Sequence, residues 1–235
     1  MSTFAKKAQN ANNFIIFDFE TGGLDTKKNP VTEIALISID GGTLKEISRY
    51  QAIIAPYSDT LFYDPKATAV TGLTMDILED EGEDIKVVAQ EVMKQFEIAN
   101  IRQEKSAGLK PLLIGHNVAF DIANLHHLLE WGIGGDYQKL LEKLLHGNRD
   151  HFGNFQPSYL DTWSLGKSWF QDEGEMMNYK LATLVEKLGV DINNAHRAMS
   201  DVVSTTEVVR TYLNSLRSGF SQNHQGQRNG FTFPI

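Results

Sequence analysis

Residues 13–54 hold three apolar runs, NFIIFDF (13–19), VTEIALISID (31–40) and LKEISRYQAII (44–54), and their reading decides the fold. The first is short and apolar and ends at polar groups, as a buried strand does. The second alternates and stops at Asp40-Gly41-Gly42, a turn signal. The third resumes at once, so the three predict an antiparallel meander. Working outward, residues 55–83 contain Pro56 and Pro65 and read as irregular, with a short helix at Thr74–Leu78. Ile85, Val88, Val92 and Phe96 recur at a helical period and predict a helix over 84–104. PLLIG (111–115) reads as a buried strand, and 118–131 as a helix with Phe120, Leu125, Leu128 and Leu129 on its apolar side. A helix over 136–146, a strand SYLDT (158–162) and helices over 179–188 and 197–214 complete the pattern, with Gly189 at a C′ position. The order of strands and helices indicates an α/β mixed sheet covered by helices.

The chain has 235 residues, 41% hydrophobic and 22% charged, which suits one domain with a substantial core. Its composition divides it into an N-terminal extension (1–12), a folded domain (13–214) and a tail (215–235). The tail reads SLRSGFSQNHQGQRNG, polar and Gly-rich as flexible linkers are, before Phe231-Thr-Phe-Pro-Ile235. In an extended peptide Phe231, Phe233 and Ile235 fall on one side, an apolar stripe that a partner could take by strand addition or in a pocket. The absence of cysteine excludes disulfides, thiolate catalysis and zinc–thiolate sites, and fits a reducing compartment. No secretory signal and no membrane-spanning run is read, so a cytoplasmic protein is expected. The formal net charge of −8 argues against a broad grip on duplex DNA, though not against holding a few nucleotides at a strand end.

Three clusters carry chemistry. Asp18 and Glu20, two apart on a strand, point to one face and place two negative charges side by side. A divalent cation resolves that repulsion, and carboxylate oxygens suit Mg²⁺ or Mn²⁺. A solvated strand end is the ordinary reading of such a pair, but the apolar FIIF before it and the Thr21-Gly22-Gly23 turn after it aim the pair at the rim of a sheet. The second cluster, Gly115 to Asp121, follows a strand and opens a helix; Asn117 is the expected N-cap and Asp121 falls in the first turn. A capped helix with a dipole-complementing Asp explains it equally well. The third, Asn194 to Asp201, brings a histidine to a helix start. His196 and Asp201 in one helix would be separated by about 140° of rotation, so a shared site requires His196 in the preceding loop. A surface histidine is the alternative.

FDFET (17–21), GHNVAFD (115–121) and HRAMSD (196–201), in this order, resemble the three motifs of the DEDDh 3′→5′ exonucleases. This superfamily includes replicative polymerase proofreading exonucleases, ribonuclease T and oligoribonuclease. The resemblance spans roughly residues 13–213. It implies a ribonuclease-H-like fold, with a three-strand antiparallel meander plus parallel strands. It implies two-metal phosphodiester hydrolysis by Mg²⁺ or Mn²⁺, with Asp18, Glu20, Asp121 and Asp201 as metal ligands and His196 as general base. The histidine separates this group from its sister, which has tyrosine where Arg197 stands. Thr21, Leu24, His116, Asn117 and Phe120 are the substrate-binding positions implied, and a nucleoside 5′-monophosphate is the product. Many members carry threonine where this chain has Gly22. Asp161-Thr162 resembles a family strand, although a helix cap is the better reading of that pair. The expected substrate is a nucleic acid 3′ end, single-stranded or frayed, of DNA; an RNA-trimming exoribonuclease is the alternative. A catalytically silent nucleic-acid-binding subunit is the reading from another class. The tail would dock on a polymerase or replication partner.

Overall fold

A computed structural model of the protein describes residues 11–100, 109–170, 178–189 and 197–223. The meander is present as β1 (Phe14–Thr21), β2 (Val31–Ile39) and β3 (Glu46–Ile53). β4 (Leu112–Gly115) runs parallel to β1 and β7 (Tyr159–Asp161) parallel to β4, giving the order β3-β2-β1-β4-β7. The expected mixed sheet is therefore observed. A separate two-stranded ribbon, β5 (Gly147–Arg149) with β6 (Phe155–Pro157), was not anticipated. Gly147-Asn148-Arg149 and Phe155-Gln156-Pro157 hold neither an apolar run nor β-branched residues to mark a strand. Their turn is held by the Asp150 carboxylate, which accepts the N–H groups of Phe152 and Asn154, both at 2.9 Å.

The described helices are α1 (Pro65–Thr71), α2 (Met75–Glu81), α3 (Ile85–Asn100), α4 (Ala119–Gly132), α5 (Tyr137–Leu144), α6 (Thr162–Trp169), α7 (Leu181–Leu188) and α8 (Ala198–Asn223). The short helix expected at Thr74–Leu78 is observed as α2, and the segment expected to be irregular also contains α1. Both carry local start signals: Asp64 caps α1, with Pro65 in its first turn, and Thr74 caps α2.

Strand alternation sorts the core into two layers. Ile15, Phe17 and Phe19 of β1 and Ile34 and Leu36 of β2 face α3, α4 and α5, meeting Val88, Val92, Phe96, Leu125, Leu128 and Leu141. Ile16 of β1 and Ala35, Ile37 and Ile39 of β2 face the other way, where α8 covers them with Ala198, Val202 and Val209. Each such aliphatic side chain contributes about 1.5–3 kcal/mol on burial. Every residue of β2 is buried, because helices cover both of its faces.

α8 corrects the expected boundary at Ser215. It runs on to Asn223, through the first part of the span read as flexible linker. Arg210 donates to the Leu44 carbonyl at 3.1 Å, and Arg217 donates to the carbonyls of Gly41 and Gly42. These bonds to the β2–β3 turn hold a stretch whose polar composition cannot show them. Phe231, Phe233 and Ile235, with residues 1–10, lie outside the described residues. Among the described residues, no helix is long and apolar enough to cross a membrane.

Candidate active site

Asp18 and Glu20 project from β1 on the face of Ile16, toward α8, while the alternate residues Phe17 and Phe19 enter the opposite layer. β4 pairs with β1 only from Phe14 to Ile16, so beyond Ile16 this edge of β1 is open. The freed N–H of Phe19 donates to Asp121 Oδ1 at 3.2 Å. Asp121 sits in the first turn of α4, only 4% exposed, and reaches the end of β1 from the side opposite α8. A crevice at the C-terminal ends of parallel strands is where open α/β sheets place their sites.

The turn from β4 into α4 differs from the expectation in one respect. Asn117 is not the N-cap: its φ is 58°, a left-handed conformation, and Val118 takes the cap position without a side-chain hydrogen bond. Gly115 lets the chain turn this tightly, since a Cβ there would lie 2.6 Å from Val118 Cγ2. The Asn117 N–H donates to Asp161 Oδ1 at 2.9 Å, and the same oxygen caps α6 through Trp163 N–H at 3.0 Å. Asp161 is thus the helix cap the sequence suggested, and also a clamp on the β4–α4 turn. Thr162 donates its hydroxyl proton to the Gly115 carbonyl at 3.2 Å and accepts from His116 Nδ1 at 3.0 Å. Burial holds the His116 imidazole below its usual pKa.

α8 supplies Asp201 from the covering layer. Asp18, Glu20 and Asp201 each offer an oxygen within 4.8 Å of the other two. Burial raises the Asp18 carboxyl well above its ordinary range, and the charges of Asp121, Glu20 and Asp201 add to the effect. Glu20 is pushed up to about 7 by burial first and then by Asp201 and Glu33, with Arg197 opposing. Asp121 is pushed up to about 8 by burial, partly offset by the N–H of Phe19. Carboxylates in this condition favour a proton or a cation. The donor set is oxygen only, which suits a hard divalent ion such as Mg²⁺ or Mn²⁺, so the residues fit such a group. His196 lies outside the described residues; Arg197, the next residue, is described.

Sequence reasoning missed Glu33. It lies in β2 directly opposite Glu20, with its side chain fully buried. Its carboxylate accepts from Arg197 Nε and Nη2 at 3.0 and 2.8 Å, from Gln51 Nε2 at 2.6 Å and from the Ala198 N–H at 3.3 Å. The available signal was an acid inside an apolar strand, the same signal that marked Asp18.

The remaining anticipated positions flank the end of β1. Leu24, in the β1–β2 loop, is 89% exposed and so covers no core. That loop is pinned by Asn29, whose side chain accepts from the Asp25 N–H at 2.9 Å and donates to the Phe62 carbonyl at 2.6 Å. Thr21 donates its hydroxyl to the Gly23 carbonyl at 2.7 Å. A Cβ on Gly22 would lie 2.8 Å from Pro30 Cδ, which accounts for glycine where many relatives of the resembled group have threonine. Phe120 is half-buried on α4, whereas Phe19 is a core residue and offers no stacking surface.

A family model described as exonuclease, of the RNase T type, matches residues 15–209. The chain is 26% identical over 204 residues to a DNA polymerase III PolC-type of Thermotoga maritima, covering 87% of this chain and 12% of that one. It is 27% identical over 215 residues to the Bacillus cereus counterpart, covering 90% and 12%. The chain therefore spans only a small part of these curated relatives. Among solved structures, Escherichia coli Exonuclease I in complex with a dA16 oligonucleotide superposes with a TM-score of 0.66 at 19% identity, over 90% of this chain and 42% of that one. At that identity the likeness is one of fold.

Proposed function

We propose, from the premise that this chain belongs to the exonuclease family matched over residues 15–209, that it is a DEDDh-type 3′→5′ exonuclease acting on single-stranded or frayed DNA ends. The observation that carries the reading is the convergence of Asp18, Glu20 and Asp201, from two elements distant in sequence, on one point at the open end of β1. Asp18, Glu20 and Asp201 would hold a divalent ion, with Asp121 completing a second position from the α4 side. Bound there, two Mg²⁺ or Mn²⁺ ions would lower the pKa of a water and offset charge on the phosphodiester during its displacement.

The protein's own groups supply the rest. A neutral His196 would take the proton of the attacking water, acting as general base. Leu24 presents an exposed apolar surface to the terminal base, and Phe120 and the Thr21 backbone border the same end. His116, whose pKa burial lowers, and Asn117 would contact the strand near its terminal nucleotide. The preference for DNA over RNA is supported by the relatives, which are DNA polymerases by name, and by the neighbour bound to dA16. A chain without cysteine suits the cytoplasm. Phe231, Phe233 and Ile235 enter the proposal as a docking segment for a polymerase or replication partner.

The test is a time course on 5′-labelled single-stranded DNA and RNA of equal sequence, with Mg²⁺ and with EDTA. The expected result is a ladder shortening from the 3′ end in Mg²⁺, faster on DNA and absent in EDTA. Internal cleavage, or products that persist in EDTA, would overturn the proposal; faster RNA trimming would transfer it to exoribonuclease activity.

A further inference from the structure

We propose that Glu33 is a positioning residue for the catalytic centre: through Arg197 and the Ala198 N–H it sets the start of α8, and with it Asp201, against the carboxylates of β1. The proposal rests on the reading that Asp18, Glu20 and Asp201 bind a divalent ion.

Glu33 is an acid next to that cluster, yet it is not one of its members. Oε1 accepts from Gln51 at 2.6 Å and from Arg197 Nη2 at 2.8 Å; Oε2 accepts from Arg197 Nε at 3.0 Å and from the Ala198 N–H at 3.3 Å. A side-on, bidentate pairing of this kind fixes the guanidinium in direction as well as distance. The N–H of Ala198 is one of the orphan donors at the start of α8, and an acid from a distant strand satisfies it. Glu33 and Glu20 are cross-strand partners on the same face of β1 and β2. The start of α8 is therefore measured from the same strand pair that carries two of the metal-binding carboxylates. Asp201 follows Ala198 by less than one turn, about 4.5 Å of rise, so slippage at the pair reaches Asp201 almost undiminished. The residue immediately before Arg197 in sequence is His196, the proposed general base.

A plain electrostatic role makes the opposite prediction. Arg197 is a cation near a cation site, so removing its charge should tighten metal binding. Positioning predicts a loss instead. The experiment compares wild type, Arg197→Ala, Arg197→Lys and Glu33→Ala/Arg197→Ala as full chains, well below their melting temperatures. It measures Mn²⁺ affinity by calorimetry and kcat and KM on a labelled single-stranded oligonucleotide. Expected are a fall in kcat of about tenfold or more in Arg197→Ala and a smaller fall in Arg197→Lys, which keeps the charge but loses the fork. Mn²⁺ affinity should fall or stay level, and KM should stay within about twofold. With Glu33→Ala as the remaining corner of the cycle, the double variant should be faster than the product of the two single effects, because both residues act through one contact. Wild-type kcat in folded Arg197→Ala, tighter Mn²⁺ binding with no rate loss, or an effect confined to KM would each overturn the proposal. Should wild type itself bind no Mn²⁺, the metal reading fails at the first measurement and this proposal falls with it.

Discussion

At the scale of single residues, the acidic cluster sets the pH behaviour of the metal-free protein. Glu20 is raised to about 7 in the folded chain, with burial the main cause, against 4.5 unfolded. The folded state therefore holds more protons than the unfolded state between these values. Stability from this group is fully present below pH 4.5 and is lost as pH rises through about 7. Glu20→Gln should match wild type in melting temperature near pH 4 and exceed it at pH 8.5 in EDTA. Saturating Mg²⁺ should reverse the order at pH 8.5, since only wild type gains the ion. Melts of both proteins at the two pH values, with and without Mg²⁺, check this; a pH-independent gap would show that Glu20 is not held protonated. Hydrolysis by Asp18→Asn or Asp201→Asn should fall by about 10³-fold or more, with the fold retained. His196→Ala should keep Mn²⁺ binding and lose about 10²–10⁴-fold in rate, as removal of a general base does. A rate within a few-fold of wild type near neutral pH would remove His196 from the mechanism. Of these residues, Asp18 and Glu20 were legible because alternation after FIIF leaves no other exit for them. Glu33 shares its face of β2 with Ala35, Ile37 and Ile39, so its acid stood out in an apolar strand, but the partners that hold it, Arg197 and Ala198, lie 164 and 165 positions away, where no local rule registers them.

At the scale of elements, the loops that frame the site are set by close packing. Gly22→Thr would restore the residue common in the resembled group and force a Cβ against Pro30. Overpacking of this kind costs about 1–3 kcal/mol. The variant should melt lower and show a raised KM, because the loop it displaces carries Leu24. Unchanged melting would mean that Pro30 yields freely. Leu24→Ala, by contrast, should leave the melting temperature unchanged, given its 89% exposure, and raise KM alone. α8 is the element whose extent the sequence concealed. Its C-terminal part is polar in sequence, and Arg217 ties it to two backbone carbonyls of the β2–β3 turn. Arg217→Ala should cost about 1 kcal/mol, or about 2–4 °C in a chain of this size. The start of α4 was placed correctly, but its cap was not. A left-handed Asn117 and the clamp from Asp161 arise from a segment some forty positions away, which no local rule can register.

At the scale of the whole molecule, the meander and the mixed sheet were legible because each strand is bounded by turn residues and the helices between them carry a clear period, whereas the order in which β4 and β7 join the sheet was not. The ribbon of β5 and β6 escaped because GNR and FQP are rich in Gly, Pro and polar residues, which read as loop. The order β3-β2-β1-β4-β7 brings the site to the point where β4 leaves β1, with one helix layer supplying Asp121 and the other Asp201. Neither layer alone assembles the cluster. Arg197 and Glu33 are 164 positions apart, and α8 is the last described helix in chain order. During synthesis, β1 and β2 leave the ribosome long before the helix that completes the cluster. A nascent chain would thus carry Asp18 and Glu20 without Asp201, in an environment rich in nucleic acid. On the proposed reading, hydrolysis would begin only once α8 docks against the sheet, so the order of synthesis would hold the carboxylates of β1 idle until Asp201 joins them.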